Sequence, residues 1–159
     1  MAKGKTNAMR FLDSHKVHYE FISYEINDGR IDGISVAEKI KKDPKMVYKT
    51  LVLKGSSNGV YVFIVPVEKE LDLKKAAKAA EEKKIEMVPV NDIQKLTGYI
   101  RGGCSPLGMK KLYPTFLAQE ADDLKRIIVS GGRIGAQIEL ETEQLINAIS
   151  AKLAEITAN

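Results

Sequence analysis

Two periodicities alternate along the chain, and their order predicts its elements. Near the start, Met9 and Leu12 stand at helical spacing behind Thr6 and Asn7. Either residue can serve as N-cap by accepting an orphan backbone N–H, so a helix is expected to about His15. Residues 17–24 (VHYEFISY) mix β-branched and aromatic side chains and predict a strand, and 27–33 (NDGRIDG) reads as a loop. Ser35-Val-Ala-Glu38 has the capping-box pattern, and the helix it opens should stop before Pro44. Residues 47–54 (VYKTLVLK) and 60–67 (VYVFIVPV) flank Gly55-Ser-Ser-Asn-Gly59, a hairpin-length loop. Both are apolar on two faces, as in the centre of a covered sheet.

Asp72 then caps a helix to about Lys84 with Leu73, Ala76, Ala77 and Ala80 facing inward. Residues 85–90 predict a short strand, Asn91 caps a brief helix ended by Gly98, and 99–108 is a glycine-rich loop. Residues 115–119 and 127–130 read as strands. Ser130-Gly131-Gly132-Arg133 predicts a tight hairpin turn, because adjacent glycines accept positive φ, with 136–140 returning antiparallel. A last helix from Thr142 would place Leu145, Ile149 and Leu153 on one face, with Ile146 and Ile156 beside them. No repeat or linker interrupts this order. The expectation is one α+β domain over residues 1–159, a mixed, mostly antiparallel curved sheet or barrel surrounded by helices.

Composition narrows the class. With 159 residues, 44% hydrophobic and 29% charged, the chain can bury a sizeable core. No apolar run approaches the roughly 18 residues of a membrane span. The first residues lead into an amphipathic pattern without a signal-peptide core, so a cytoplasmic protein with no membrane contact is expected. One cysteine, Cys104, excludes an internal disulfide, and His15 and His18 are the only histidines, so neither metal nor cofactor is expected. The net charge of +4 is unevenly spread: residues 1–115 hold 21 Lys/Arg against 14 Asp/Glu, and residues 116–159 hold 4 against 7. Such a body can attract a polyanion, although the same lysines also serve to solvate helix faces.

Lys49 is the residue least at home in its setting. In a strand it shares a face with Val47, Leu51 and Leu53, so its ammonium must reach water at the strand mouth, find a partner, or do chemistry. Gly102-Gly103-Cys104-Ser105-Pro106 is a second candidate. Its glycines let backbone N–H groups approach a ligand and could stabilise an oxyanion, although a plain loop has the same composition. Ser130-Gly131-Gly132 is explained by turn geometry alone. Cys104 is a nucleophile only with a base or positive field nearby, and neither that nor a Ser-His-Asp arrangement is visible. These residues outline a lysine-centred cleft and name no reaction.

Several segments, in order, resemble the YbaK/EbsC family, also called the prolyl-tRNA-synthetase-associated editing domain. They are 6–9 (TNAM), 47–53 (VYKTLVL), 66–77 (PVEKELDLKKAA), 84–87 (KIEM), 94–111 (QKLTGYIRGGCSPLGMKK) and 128–132 (IVSGG). The resemblance implies a barrel-like mixed sheet and an aminoacyl-tRNA deacylase acting in trans, nearest to the branch that removes cysteine from Cys-tRNA(Pro). It places the family's essential lysine on Lys49 and its threonine on Thr50. The Gly-x-x-x-Pro loop falls on Gly102, Gly103 and Pro106, the Ser-Gly-Gly turn on Ser130, Gly131 and Gly132, and a pocket-lining position on Tyr24. It further implies that the cysteinyl thiol attacks its own ester, so that no protein nucleophile is needed. The partners implied are the acceptor end of tRNA(Pro) and a transient complex with prolyl-tRNA synthetase. Two alternatives stay open: a deacylase for another small residue, such as alanine, using water, and a non-catalytic module that binds tRNA or a synthetase.

Overall fold

The computed structural model describes residues 4–159, so the first three positions of the N-terminal reading, Met1–Lys3, lie outside the described residues. Helix α1 (Asn7–Ser14) is capped by Thr6, whose Oγ1 accepts the Met9 N–H at 3.2 Å, and it buries Ala8, Met9 and Leu12. Strand β1 (Glu20–Ser23) is shorter than its β-rich sequence suggests, because only these four residues find a register partner in a neighbouring strand. Helix α2 (Gly33–Lys39) starts earlier than expected. Asp32 is its cap, accepting the Ser35 N–H at 3.1 Å and the Ser35 hydroxyl at 2.6 Å. Ser35 is thus spent as a donor, Glu38 turns outward to Arg30 at 2.9 Å, and the predicted capping box does not form.

Strand β2 (Tyr48–Gly55) pairs antiparallel with β3 (Val60–Pro66), with Lys49 opposite Val65. The loop between them is held by Glu82, which accepts the Ser57 N–H at 3.1 Å and hydroxyl protons from Ser57 and Tyr61. Helix α3 (Leu73–Ala80) is capped by Asp72 and buries Ala76 and Ala77, but Leu73 points to solvent and the helix stops at left-handed Glu81. Strand β4 (Ile85–Met87) joins the other edge of β2. Helix α4 (Val90–Thr97) begins at Pro89 with no side-chain cap, so Asn91 lies inside it, and Gly98 ends it at φ 89°.

Strand β5 (Thr115–Ala118) runs parallel to β3. Strands β6 (Arg126–Ser130) and β7 (Ala136–Glu141) are antiparallel, but the turn between them is longer than the expected tight one. It spans residues 131–135, with Gly131 bonded to Ala136 and positive φ at Gly132 and Gly135. Helix α5 (Thr142–Ile149) buries Leu145 and Ile149 and ends at left-handed Ser150. The helix expected to continue through Leu153 gives way to strand β8 (Lys152–Ala154), which pairs parallel to β5. Local helix propensity at AKLAE loses there to hydrogen bonds that only the folded sheet can offer.

Five strands form a mixed sheet in the order β4-β2-β3-β5-β8, and three form an antiparallel sheet in the order β1-β7-β6. A parallel bridge, Val47 to Ile128, joins them, so the strands make two linked sheets rather than a closed barrel. The main core lies between them and includes the fully buried Leu12, Phe63, Leu117, Ile127, Ile138 and Leu145. Each such side chain contributes about 1.5–3 kcal/mol of burial free energy. Two smaller clusters fasten what surrounds β2. Ala37, Val47, Val67 and Ile128 tie α2 to the seam, while Val52, Val88 and Ile93, with Leu96, Cys104 and Met109, tie α4 and the following loop to the strand. No helix among the described residues is long and apolar enough to cross a membrane.

Candidate active site

Where β2 leaves the seam, a cleft of about 690 Å³ opens, a size suited to a small organic group. Its floor is β2 from Tyr48 to Leu51. One wall is the segment from Tyr24 to the start of α2, including Ile31, Asp32 and Val36, and the other is Arg101, Gly102 and Cys104. Ser130 at the end of β6 and Gln137 at the start of β7 complete it. These two are register partners, so their side chains lie on one face of the pair.

Lys49 extends from the floor until its Nζ lies 3.5 Å from a Glu70 carboxylate that is 84% exposed. An ion pair with so exposed a partner contributes at most about 1 kcal/mol, so it leaves the ammonium free to exchange Glu70 for another anion. Thr50 beside it carries a buried hydroxyl with no hydrogen-bond partner. Leaving such a group unsatisfied costs about 1–3 kcal/mol, an expense a ligand can remove.

Tyr24 is held by its backbone N–H on the Gly135 carbonyl at 3.0 Å, with the Lys39 ammonium 5.9 Å from its ring centroid. Lys39 also donates to the Glu25 and Arg30 carbonyls and to Asp28, and so pins the wall as a unit. The hydrogen bond from Lys39, and then the one from the Arg30 backbone N–H, hold the Asp28 pKa below the usual carboxylate value.

Of the nine residues the sequence singles out, Lys49, Tyr24, Thr50, Gly102 and Ser130 line the cleft, while Gly103, Pro106, Gly131 and Gly132 do not. The N–H of Gly103 is taken by the Ile100 carbonyl at 3.0 Å, that of Gly131 by Ala136 at 2.8 Å, and that of Gly132 by the Ser130 hydroxyl at 3.2 Å. These glycines serve packing. A Cβ on Gly103 would lie 2.8 Å from the Arg133 Cα, and one on Gly132 within 3.1 Å of Thr6 and Tyr99. Gly102, at φ 88° and facing Ile134 and Ile31, is the glycine left at the cleft surface.

Cys104 lines the cleft, but burial pushes its thiol pKa up to about 11, only partly countered by a hydrogen bond with Thr97. It is a neutral thiol near pH 7, which weakens it as a nucleophile. Tyr48 is likewise kept protonated, by burial first and then by Glu120, Asp123 and Glu68. Among the described residues, no three His, Cys, Asp or Glu side chains gather as a metal site. Sequence reasoning missed Ile31, Asp32, Arg101 and Gln137 as wall residues. Arg101 offered a signal, a cation directly before the Gly-Gly pair.

A second hollow of about 680 Å³, between Glu68 and the C-terminal residues, has both of its lysines paired with carboxylates of its own lining. There Lys69 pairs with Glu120 at 3.1 Å, Thr157 donates to Glu120 at 2.6 Å, and Lys75 meets Glu155 at 3.4 Å.

Comparison with known proteins gives the chain a family. Residues 33–148 match the model of the aminoacyl-tRNA editing domain. A protein of Enterococcus faecalis (strain ATCC 700802 / V583) with the provisional name Cys-tRNA(Pro)/Cys-tRNA(Cys) deacylase EbsC is 46% identical over 153 residues, 96% of this chain and 93% of that one. Among solved structures, one provisionally described as a trans-editing enzyme for prolyl-tRNA synthetase aligns with a TM-score of 0.85 at 19% identity, over 99% of this chain and 100% of that one. A hypothetical protein aligns with a TM-score of 0.87 at 19% identity, over 96% and 99%. At that identity the structures speak for the fold, while the family match and the 46% relative speak for the activity. The chain belongs to the aminoacyl-tRNA editing domain family, and its activity is that of an aminoacyl-tRNA deacylase.

Proposed function

We propose that this deacylase clears Cys-tRNA(Pro), the product of a synthetase that cannot reject cysteine by size alone. The observation that carries the reading is a cleft floor that holds both Lys49, an exchangeable cation, and Thr50, whose hydroxyl has no partner. The name of the 46% identical relative supports cysteine as the amino acid.

The reaction follows from the substrate. The cysteinyl sulfur attacks its own ester carbonyl, and the thiol proton passes to water or to the departing oxygen. A C–S bond forms, the C–O bond to the ribose breaks, and the amino acid leaves as a cyclic thiolactone while the ribose oxygen takes a proton. Holding the two groups together supplies a high effective concentration. Lys49 binds the terminal nucleotide or offsets the negative charge that grows on the carbonyl oxygen. Thr50, Ser130 and the backbone at Gly102 orient the ester, and Tyr24 covers it. Gly103, Pro106, Gly131 and Gly132 hold the walls in place. The neutral Cys104 thiol fits a site whose nucleophile arrives with the substrate. The protein then works in the cytoplasm, beside prolyl-tRNA synthetase in a transient complex.

A deacylation panel tests this with Cys-tRNA(Pro), Ala-tRNA(Pro) and a serine ester as substrates, wild type against Lys49→Ala. Cysteine should be released at least about 100-fold faster than alanine or serine, and Lys49→Ala should lower kcat/KM by about 100-fold, the scale of a lost charge-stabilising group. Equal release of alanine would assign the attack to water. Retention of full activity by Lys49→Ala would overturn the central role of the lysine.

A further inference from the structure

Residues 93–119 contain no Asp or Glu, yet they hold Lys95, Arg101, Lys110 and Lys111. The structure gathers these cations around the C-terminal end of α4. Lys110 reaches back to donate to the Lys95 carbonyl at 3.4 Å. Lys111 lies over the ring of Tyr113, whose hydroxyl donates to the Leu96 carbonyl at 2.7 Å. Arg101 stands three residues beyond the cap at Gly98, a span of at most about 11 Å, and lines the cleft itself. All four are exposed. Among the described residues none of them has a carboxylate within ion-pair distance, whereas Lys39, Lys42, Lys69, Lys75 and Arg126 each do.

An acid-free cluster of exposed cations attracts a polyanion, and its continuity with the cleft through Arg101 decides which one. We propose that this face is the track for the phosphate backbone of the acceptor stem. Lys95, Lys110 and Lys111 contact the duplex, and Arg101 meets the backbone where the single-stranded 3′ end enters the cleft. The inference rests on the deacylase reading for the identity of the RNA and adds where the RNA lies. Phosphate contacts of this kind position a nucleic acid without reading its sequence.

The probe is a short RNA hairpin with a single-stranded 3′ overhang and no amino acid, titrated by fluorescence anisotropy at several salt concentrations. Lys95→Gln/Lys110→Gln/Lys111→Gln should weaken binding by at least about tenfold and reduce the log–log salt slope by about two to three. The same charge loss on the α3 side, Lys74→Gln/Lys78→Gln/Lys83→Gln, should change affinity by less than about twofold, since bulk charge alone is not the cause. In deacylation, the first triple should raise KM for full-length Cys-tRNA(Pro) while kcat holds. Cleavage of a cysteinyl trinucleotide ester, which has no stem to seat, should be unchanged. Equal weakening by both triples, or an unchanged hairpin affinity in the first, would overturn the track. If the wild type cleaves no aminoacyl-tRNA while the hairpin results hold, the catalytic reading fails and the track stands.

Discussion

Lys49 is costly to place on an apolar strand, and the structure shows how that cost is limited. Its side chain is largely covered while its charge reaches an exposed carboxylate, so it is tethered without being neutralised. Thr50 is the sharper signal, because no protein group among the described residues answers its buried hydroxyl. Thr50→Val should keep the fold or stabilise it by about 1 kcal/mol, since it removes a buried unpaired group, and should raise KM for the ester. A thermal melt and steady-state kinetics on one preparation separate the two effects. Cys104→Ala should keep deacylation within about threefold of wild type, because a thiol with a raised pKa does not act as the nucleophile near pH 7. Its alkylation by iodoacetamide should stay slow until the pH nears 11. Lys49 was legible as a cation in an apolar run and Thr50 only through the family resemblance, while Ile31, Asp32 and Gln137 were not. Nothing in their own neighbourhoods says that they face a cleft built from segments far apart in sequence.

At the level of elements, short-range chemistry was readable wherever a single local rule applied. Strands β2 and β3 announce themselves by apolar residues on both faces, and Thr6, Asp72 and Gly98 bound their helices as the sequence suggests. Where two local solutions competed, tertiary context decided. Asp32 and Ser35 are both fit caps, and the earlier one takes the role, its carboxylate accepting both the N–H and the hydroxyl of Ser35. Asp32→Ala should therefore cost about 0.5–2 kcal/mol and loosen the cleft wall that α2 begins, measured as a lower Tm together with a raised KM. Ser35→Ala should cost less, since the Asp32 carboxylate would still accept the backbone N–H. Strand β8 was beyond local rules altogether, because its only reason to be a strand is β5, which lies distant in the chain.

On the scale of the whole molecule, the antiparallel sheet is fastened by charge to the segment that leads into β2. Glu139 on β7 is almost fully buried and is held by Arg126 at 2.7 Å and Lys42 at 3.0 Å, linking the strand pair to the segment after α2. Burial alone would raise its pKa, but the hydrogen bonds and charges of the two cations outweigh it and hold the pKa below the usual value. The sign follows: this stabilisation is complete above the unfolded-state pKa of about 4.3 and is lost as the pH falls through the lower folded-state value. Glu139→Gln should lower stability near pH 7 by about 1–3 kcal/mol, less than for a fully buried pair because both cations reach water. Urea unfolding at pH 7 and near pH 3 should show the difference shrinking on the acid side. The C-terminal tail closes the other end, with Asp72 donating to Ile156 and Ala158 to Glu70, so the partner of Lys49 is itself held in place by the last residues of the chain.

The contact of Gly103 with Arg133 is main chain against main chain, with no side chain between the two loops. The separation of the two loops at this point is therefore set by atoms every residue type shares, while one residue earlier Gly102 rests against the Ile134 side chain. Over evolutionary drift, the lining residues beside this contact, Arg101 among them, can change one position at a time while the backbone contact behind them stays in place. The two loops can acquire new specificities without relearning how to fold.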